Sequence, residues 1–167
     1  MRTLIDGVTA GIIGALTVAG WFLMLDAARG QPLATPALLG AVMLHGEREL
    51  VPVGSAPLLA AEYSVVHFTA FILFGLIAAW LISEAEREPD LRSGVFTLFV
   101  CFEVFFLALI GAISSAVLQT LVWWRIVTAN FLATAAMLAF FSMRHPGLSL
   151  SFRSRLWRWT HAPSLRD

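Results

Sequence analysis

The sequence predicts an all-α, polytopic integral membrane protein with four transmembrane helices. Two observations carry that prediction. The 167 residues are 59% hydrophobic and only 13% charged, whereas an ordinary soluble domain is about a quarter charged. The apolar residues also gather into four proline-free runs, at 4–28, 60–83, 93–118 and 122–143, each near the roughly 20 residues needed to cross a bilayer. No run alternates with period two, and each is too long for a buried strand.

The first run, Leu4 to Ala28, reads as a retained span rather than a signal peptide. Its n-region holds one arginine, and Asp26 interrupts the small-residue pattern that a cleavage site requires. Gly7, Gly11 and Gly14 fall on one face of this helix. Small residues let helix backbones approach closely in lipid, so this face is a predicted packing surface. Its partner helix could belong to this chain or to another.

The loop at 29–59 is long for a structureless connection. Thr35 is a candidate helix cap, Pro36 suits a first helical position, and Gly46 suits a helix end. The expectation is a short interfacial or partly re-entrant helix from Pro36 to His45. Pro52, Gly54, Ser55 and Pro57 then read as ordered loop. Glu84 to Arg92, with Pro89, joins the second and third runs, and Gln119 to Leu121 forms a tight turn between the third and fourth.

All eleven basic residues are arginine. With four alternating helices, Arg2, Arg87, Arg92, Arg144, Arg153, Arg155, Arg158 and Arg166 share one side, against Arg29, Arg48 and Arg125. The positive-inside rule then puts both termini in the cytoplasm of a bacterial inner membrane, with the 29–59 loop in the periplasm. The tail at 147–167 carries Arg153, Arg155, Trp157, Arg158 and Trp159. Arginines around indoles at helical spacing predict an interfacial lipid anchor.

Four polar residues inside or beside the spans are candidates for an ion or proton path. Glu103 lies about 16 Å inside the third run, near the midplane. A charged carboxylate there costs about 2.5–3.5 kcal/mol on insertion scales. Asn130 lies about 12 Å inside the fourth run, and Asp26 and Glu62 sit near the outer ends of the first and second. The four form a rough ladder toward Glu103. Interhelical hydrogen bonding is the competing and preferred reading, because depth alone does not place the four in one shared interior.

His67, in the second run, is read first as a hydrogen-bonded core histidine. The sharper alternative is an axial ligand to a haem or chlorophyll-type pigment. His45, His145 and His161 lie outside the runs, so only a single-ligand macrocycle would fit.

No Glu-x-x-His, His-Glu-x-x-His, Cys-x-x-Cys, P-loop or nucleophile elbow occurs. The single Cys101 leaves no intrachain disulfide. A net charge of zero gives no electrostatic reason to expect nucleic acid. The expected partners are the lipid bilayer and other membrane subunits, or further copies of the chain. The functional expectation is a non-catalytic integral subunit of a larger, energy-transducing membrane complex. A small conductor using Glu103 is the first alternative, and a pigment-binding protein using His67 the second.

Overall fold

A computed structural model describes residues 2–46, 56–87, 97–102, 104, 108 and 123–145. Those residues form helices and short turns, with no strand among them. Helix α1 is Arg2–Ala27, α2 is Ala34–His45, α3 is Ala56–Arg87 and α4 is Trp123–Arg144. Residues 97–102 are also helical. Helices α1, α3 and α4 are each long and apolar enough to cross a membrane, and α2 is a shorter apolar helix. At 1.5 Å per residue the three long helices run about 39, 48 and 33 Å, against a hydrocarbon core of about 30 Å.

Helix α1 lies against both α3 and α4, and it runs antiparallel to each. Along α3 the sequence of neighbours is Gly7 beside Leu76, Gly11 beside Ile72, and the Ala15 carbonyl beside His67. Along α4 it is Asp6 with Arg144, Gly14 with Met137, and Trp21 with the Arg125 carbonyl. Consequently α3 and α4 point the same way. Arg87 and Trp123 lie at opposite ends of the bundle, here called the Asp6 end and the Asp26 end.

The glycine face predicted on α1 is used, and its partner is in this chain. A Cβ added at Gly11 would stand 2.6 Å from the Ile72 Cα, and one at Gly7 would stand 2.8 Å from the Leu76 Cα. A Cβ at Gly75 would stand 2.7 Å from the Gly11 backbone nitrogen. Gly14 instead admits the Met137 sulfur and the Phe71 ring. Alanines continue the contact, with Ala10, Ala15, Ala78 and Ala79 essentially inaccessible. The large side chains of α1 point the other way: Leu4, Ile5, Leu16, Leu23 and Met24 are exposed. Small residues inside and large apolar residues outside is the arrangement lipid permits and water penalises.

Residues 97–102 add a layer of aromatic packing to α3. Phe102 meets Phe74 with ring centroids 4.0 Å apart and Phe71 at 5.7 Å, while Phe99 meets Phe74 edge-on at 5.2 Å. Side-chain hydroxyls on the long helices are satisfied locally. Thr9, Thr17, Ser64 and Thr128 each donate to the carbonyl four residues earlier, which lets them sit in an apolar surrounding without an outside partner.

Three sequence expectations need correction. Helix α3 starts at Ala56 rather than residue 60, so Pro57 belongs to its first turn. Proline is tolerated there because the backbone donors of a first turn have no helical acceptor. The same helix runs on to Arg87, where an i,i+3 pair from Arg87 to Glu84 at 3.6 Å extends it. Thr35 is not the cap of α2. It lies within the first turn, and the residue in the cap position, Leu33, offers no side-chain bond. Gly46 does end α2, in the left-handed conformation with φ 67°, its N–H bonded to the Ala41 carbonyl.

Most of the third run at 93–118, Glu103 included, lies outside the described residues, as do Pro52, Gly54, Ser55 and the whole 147–167 tail with Arg153, Arg155, Trp157, Arg158 and Trp159.

Gly75→Ala is expected to lower stability by about 1–3 kcal/mol, because its methyl meets backbone that cannot yield. Gly20→Ala is expected to be neutral or stabilising by up to about 1 kcal/mol, since nothing lies within 4 Å of that position. Reversible unfolding in mixed detergent micelles, followed by circular dichroism, measures both.

Candidate functional site

The charged side chains of the described helices gather toward the two ends of the bundle, with His67 and Asn130 between them. At the Asp26 end, the Asp26 carboxylate is 1% exposed. One oxygen accepts from the Thr35 backbone N–H at 2.7 Å and the other from the Thr35 hydroxyl at 3.0 Å. Its own carbonyl accepts from the N–H groups of Arg29 and Gln31, both at 3.0 Å. Gly30, with φ 75°, makes the reversal that this double acceptance requires. Asp26 therefore caps α2 from the end of α1, supplying the acceptor that Leu33 lacks. A charge-bearing acceptor near the exposed N–H groups of a helix start is electrostatically favoured.

The capped helix packs on α3 and α4. Gly40 lies on the backbone of Leu59, Ala37 and Ala41 pack with Leu59 and Ala60, and Leu39 and Val42 pack with Ile126. Glu62 lies at the same end, where it accepts from the His45 ring at 2.7 Å in an exposed position.

His67 is buried in the interior. Its Nε2 lies 3.2 Å from the Ala15 carbonyl oxygen. A carbonyl only accepts, so the ring donates from Nε2. Tyr63, Phe68 and Phe71 surround the ring, with centroids 5.6, 5.9 and 4.8 Å away. The contact with Ala15 engages the nitrogen that points at α1 and links α1 to α3 beyond the glycines. Among the described residues, no three His, Cys, Asp or Glu side chains come together as a metal site would need.

Asn130 is 2% exposed, and its Nδ2 has no hydrogen-bond partner among the described residues. Arg125, five residues earlier, likewise has no partner for its Nε among the described residues, while its guanidinium lies 5.6 Å from the Trp124 ring centre. Of the four residues in the expected ladder, the described structure places Asp26 and Glu62 at one end, in separate local pairs, and Asn130 in the interior. Glu103 falls outside the described residues.

The Asp6 end carries a cluster that the sequence reading did not single out. Asp6 is 4% exposed. Its Oδ1 accepts from Arg144 Nε at 3.0 Å and lies 2.8 Å from Nη2. His145 stands beside it, with Nε2 3.7 Å from Asp6 Oδ2 and Nδ1 3.0 Å from Glu86 Oε1. One buried carboxylate thus joins α1 to the end of α4, and His145 extends the link to α3. A signal was present: once alternating helices put Arg2 and Arg144 on one side, Asp6 lies at the same level.

Comparison with protein-family models, with curated proteins and with solved structures finds no match for this chain. The class is defined by the fold itself: an all-helical protein with three helices able to cross a membrane, joined by small-residue packing and tied by polar contacts at both ends.

Asp26→Ala is expected to destabilise the protein by about 0.5–2 kcal/mol, the usual worth of a helix cap. It is also expected to raise amide hydrogen exchange at residues 34–37. Asp26→Asn keeps one acceptor oxygen and is expected to fall between the parent and the alanine variant in both measurements.

Proposed function

We propose that this chain is a non-catalytic integral subunit of a larger membrane complex, with four crossings and both termini cytoplasmic in a bacterial inner membrane. One observation carries the functional part: the use to which the polar side chains are put. Asp26 caps a helix, His67 bonds a backbone carbonyl, Glu62 pairs with His45, and Asp6 pairs with Arg144. Each ties one part of this chain to another. Ties of this kind, among the described residues, support a structural role.

The fourth crossing is supported by chain direction. Helices α3 and α4 are parallel, so residues 88–122 must lead from the Asp6 end back to the Asp26 end. That sequence contains the apolar run at 93–118, long enough to make the crossing. The arginine distribution supports the orientation, with Arg2, Arg87 and Arg144 together at the Asp6 end. The basic, indole-rich tail would follow α4 along the cytoplasmic face.

Extraction of a tagged chromosomal copy in native lipid nanodiscs tests the proposal. The expected result is reproducible co-purification of other membrane polypeptides in fixed proportion. Recovery of this chain alone, as a monomer or homo-oligomer, would contradict it.

A further inference from the structure

The Asp6 end holds a cavity of about 610 Å³ lined by Arg2, Thr3, Asp6, Glu86, Arg144 and His145. Three helices contribute to it: α1 supplies the first three residues, α3 supplies Glu86, and the end of α4 supplies the last two. It lies where all three long helices stop, the level at which a spanning bundle meets lipid headgroups.

The charges in this cavity are of both signs and are not all consumed. Asp6 neutralises Arg144, as the 2.8 Å contact shows. Arg2 is exposed and has no ion pair among the described residues. Among the described residues Glu86 receives a single bond, from His145 Nδ1 at 3.0 Å, and its side chain is 37% exposed. A free guanidinium and a hydroxyl therefore stand on one wall, and a carboxylate with spare acceptor capacity stands on another.

The geometry points to a binding site for a zwitterionic phosphoethanolamine headgroup of a membrane phospholipid. Arg2 and Thr3 take the phosphate, as guanidinium and hydroxyl donors do. Glu86 takes the primary ammonium, whose N–H groups it can accept. A purely anionic lipid brings no cation for Glu86. A choline headgroup brings a quaternary nitrogen without an N–H. The acyl chains follow the exposed apolar side chains Leu4 and Ile5 of α1, next to the cavity. Basic residues where helices meet the cytoplasmic leaflet are a recurrent basis of headgroup recognition. What distinguishes this cavity is the Glu86 carboxylate that lines it together with them.

The test is native mass spectrometry of the full chain in detergent, titrated separately with dioleoyl phosphatidylethanolamine, phosphatidylglycerol and phosphatidylcholine. Phosphatidylethanolamine is expected to be retained about tenfold more strongly than the other two. Arg2→Ala is expected to weaken that retention about tenfold. Glu86→Gln is expected to remove the preference over phosphatidylglycerol. Both positions are exposed, and circular dichroism identifies any variant that has lost its fold. If Glu86→Gln does not fold, Arg2→Ala decides alone. Equal retention of the three lipids, or a fully retained preference in Arg2→Ala, would overturn the assignment. Displacement of the lipid by equimolar glycerophosphoethanolamine, which lacks acyl chains, would overturn its lipid source.

Discussion

The backbone-to-backbone contact between α1 and α3 is the constraint on which the remaining packing depends. At Gly7, Gly11 and Gly75 the two helices stand so close that no side chain fits between them. In a bilayer, apolar area gives no net drive for helices to associate, because lipid tails are as apolar as leucine. Attraction must come from many short van der Waals contacts, and these need atoms close together. Glycines provide that closeness over about one helical turn. The alanines at 10, 15, 78 and 79 extend it, and Gly14 opens a socket for Met137 of α4 and Phe71 of α3. The third helix is thus seated by the same face that seats the second.

Packing of small residues leaves sliding and rotation weakly resisted, and the polar contacts supply what it lacks. His67 to the Ala15 carbonyl fixes the register of α1 on α3 from within. Asp6 with Arg144 fixes α1 on α4 at one end, and Trp21 with the Arg125 carbonyl does so toward the other. Interhelical hydrogen bonds in membranes average about 0.6 kcal/mol each, so none of these holds the bundle alone. Their worth is directional: each is satisfied at one alignment. Asp26 applies the same logic to α2, holding a short apolar helix across the ends of longer ones.

Much of this was legible in the sequence, and the reasons are physical. Hydrophobic runs without proline define long helices wherever backbone groups must be satisfied internally, so α1 and α4 fell within two residues of expectation. The glycine spacing marks a packing face on α1 but cannot name its partner, because Gly75 stands alone in α3 and forms no motif by itself. The helix ends at α3 were misplaced by rules developed for breakers: Pro57 and Glu84 look like loop residues, yet both are acceptable in a terminal turn. The cap of α2 was assigned to Thr35, the nearest suitable side chain, whereas the structure uses Asp26, nine residues earlier and on another helix. A local rule could not have found it. Of the candidate site residues, Asp26, Glu62, His67 and Asn130 lie among the described residues. Their individual partners depend on tertiary contacts that spacing along one helix does not encode.

The glycine face of α1 is closed by α3 of the same chain. Disulfide trapping in lipid vesicles tests it most directly. The pair is Gly7→Cys with Leu76→Cys, in a chain whose only native cysteine, Cys101, has been replaced by alanine. A Cβ at position 7 falls 2.8 Å from the Leu76 Cα, which sets the two α-carbons at the very short end of the about 4.4–6.8 Å that a disulfide spans. Rapid oxidation to a cross-linked monomer is the predicted result, with no such product from Gly20→Cys with Leu76→Cys. A cross-linked dimer from the first pair would place the glycine face between chains and contradict the account.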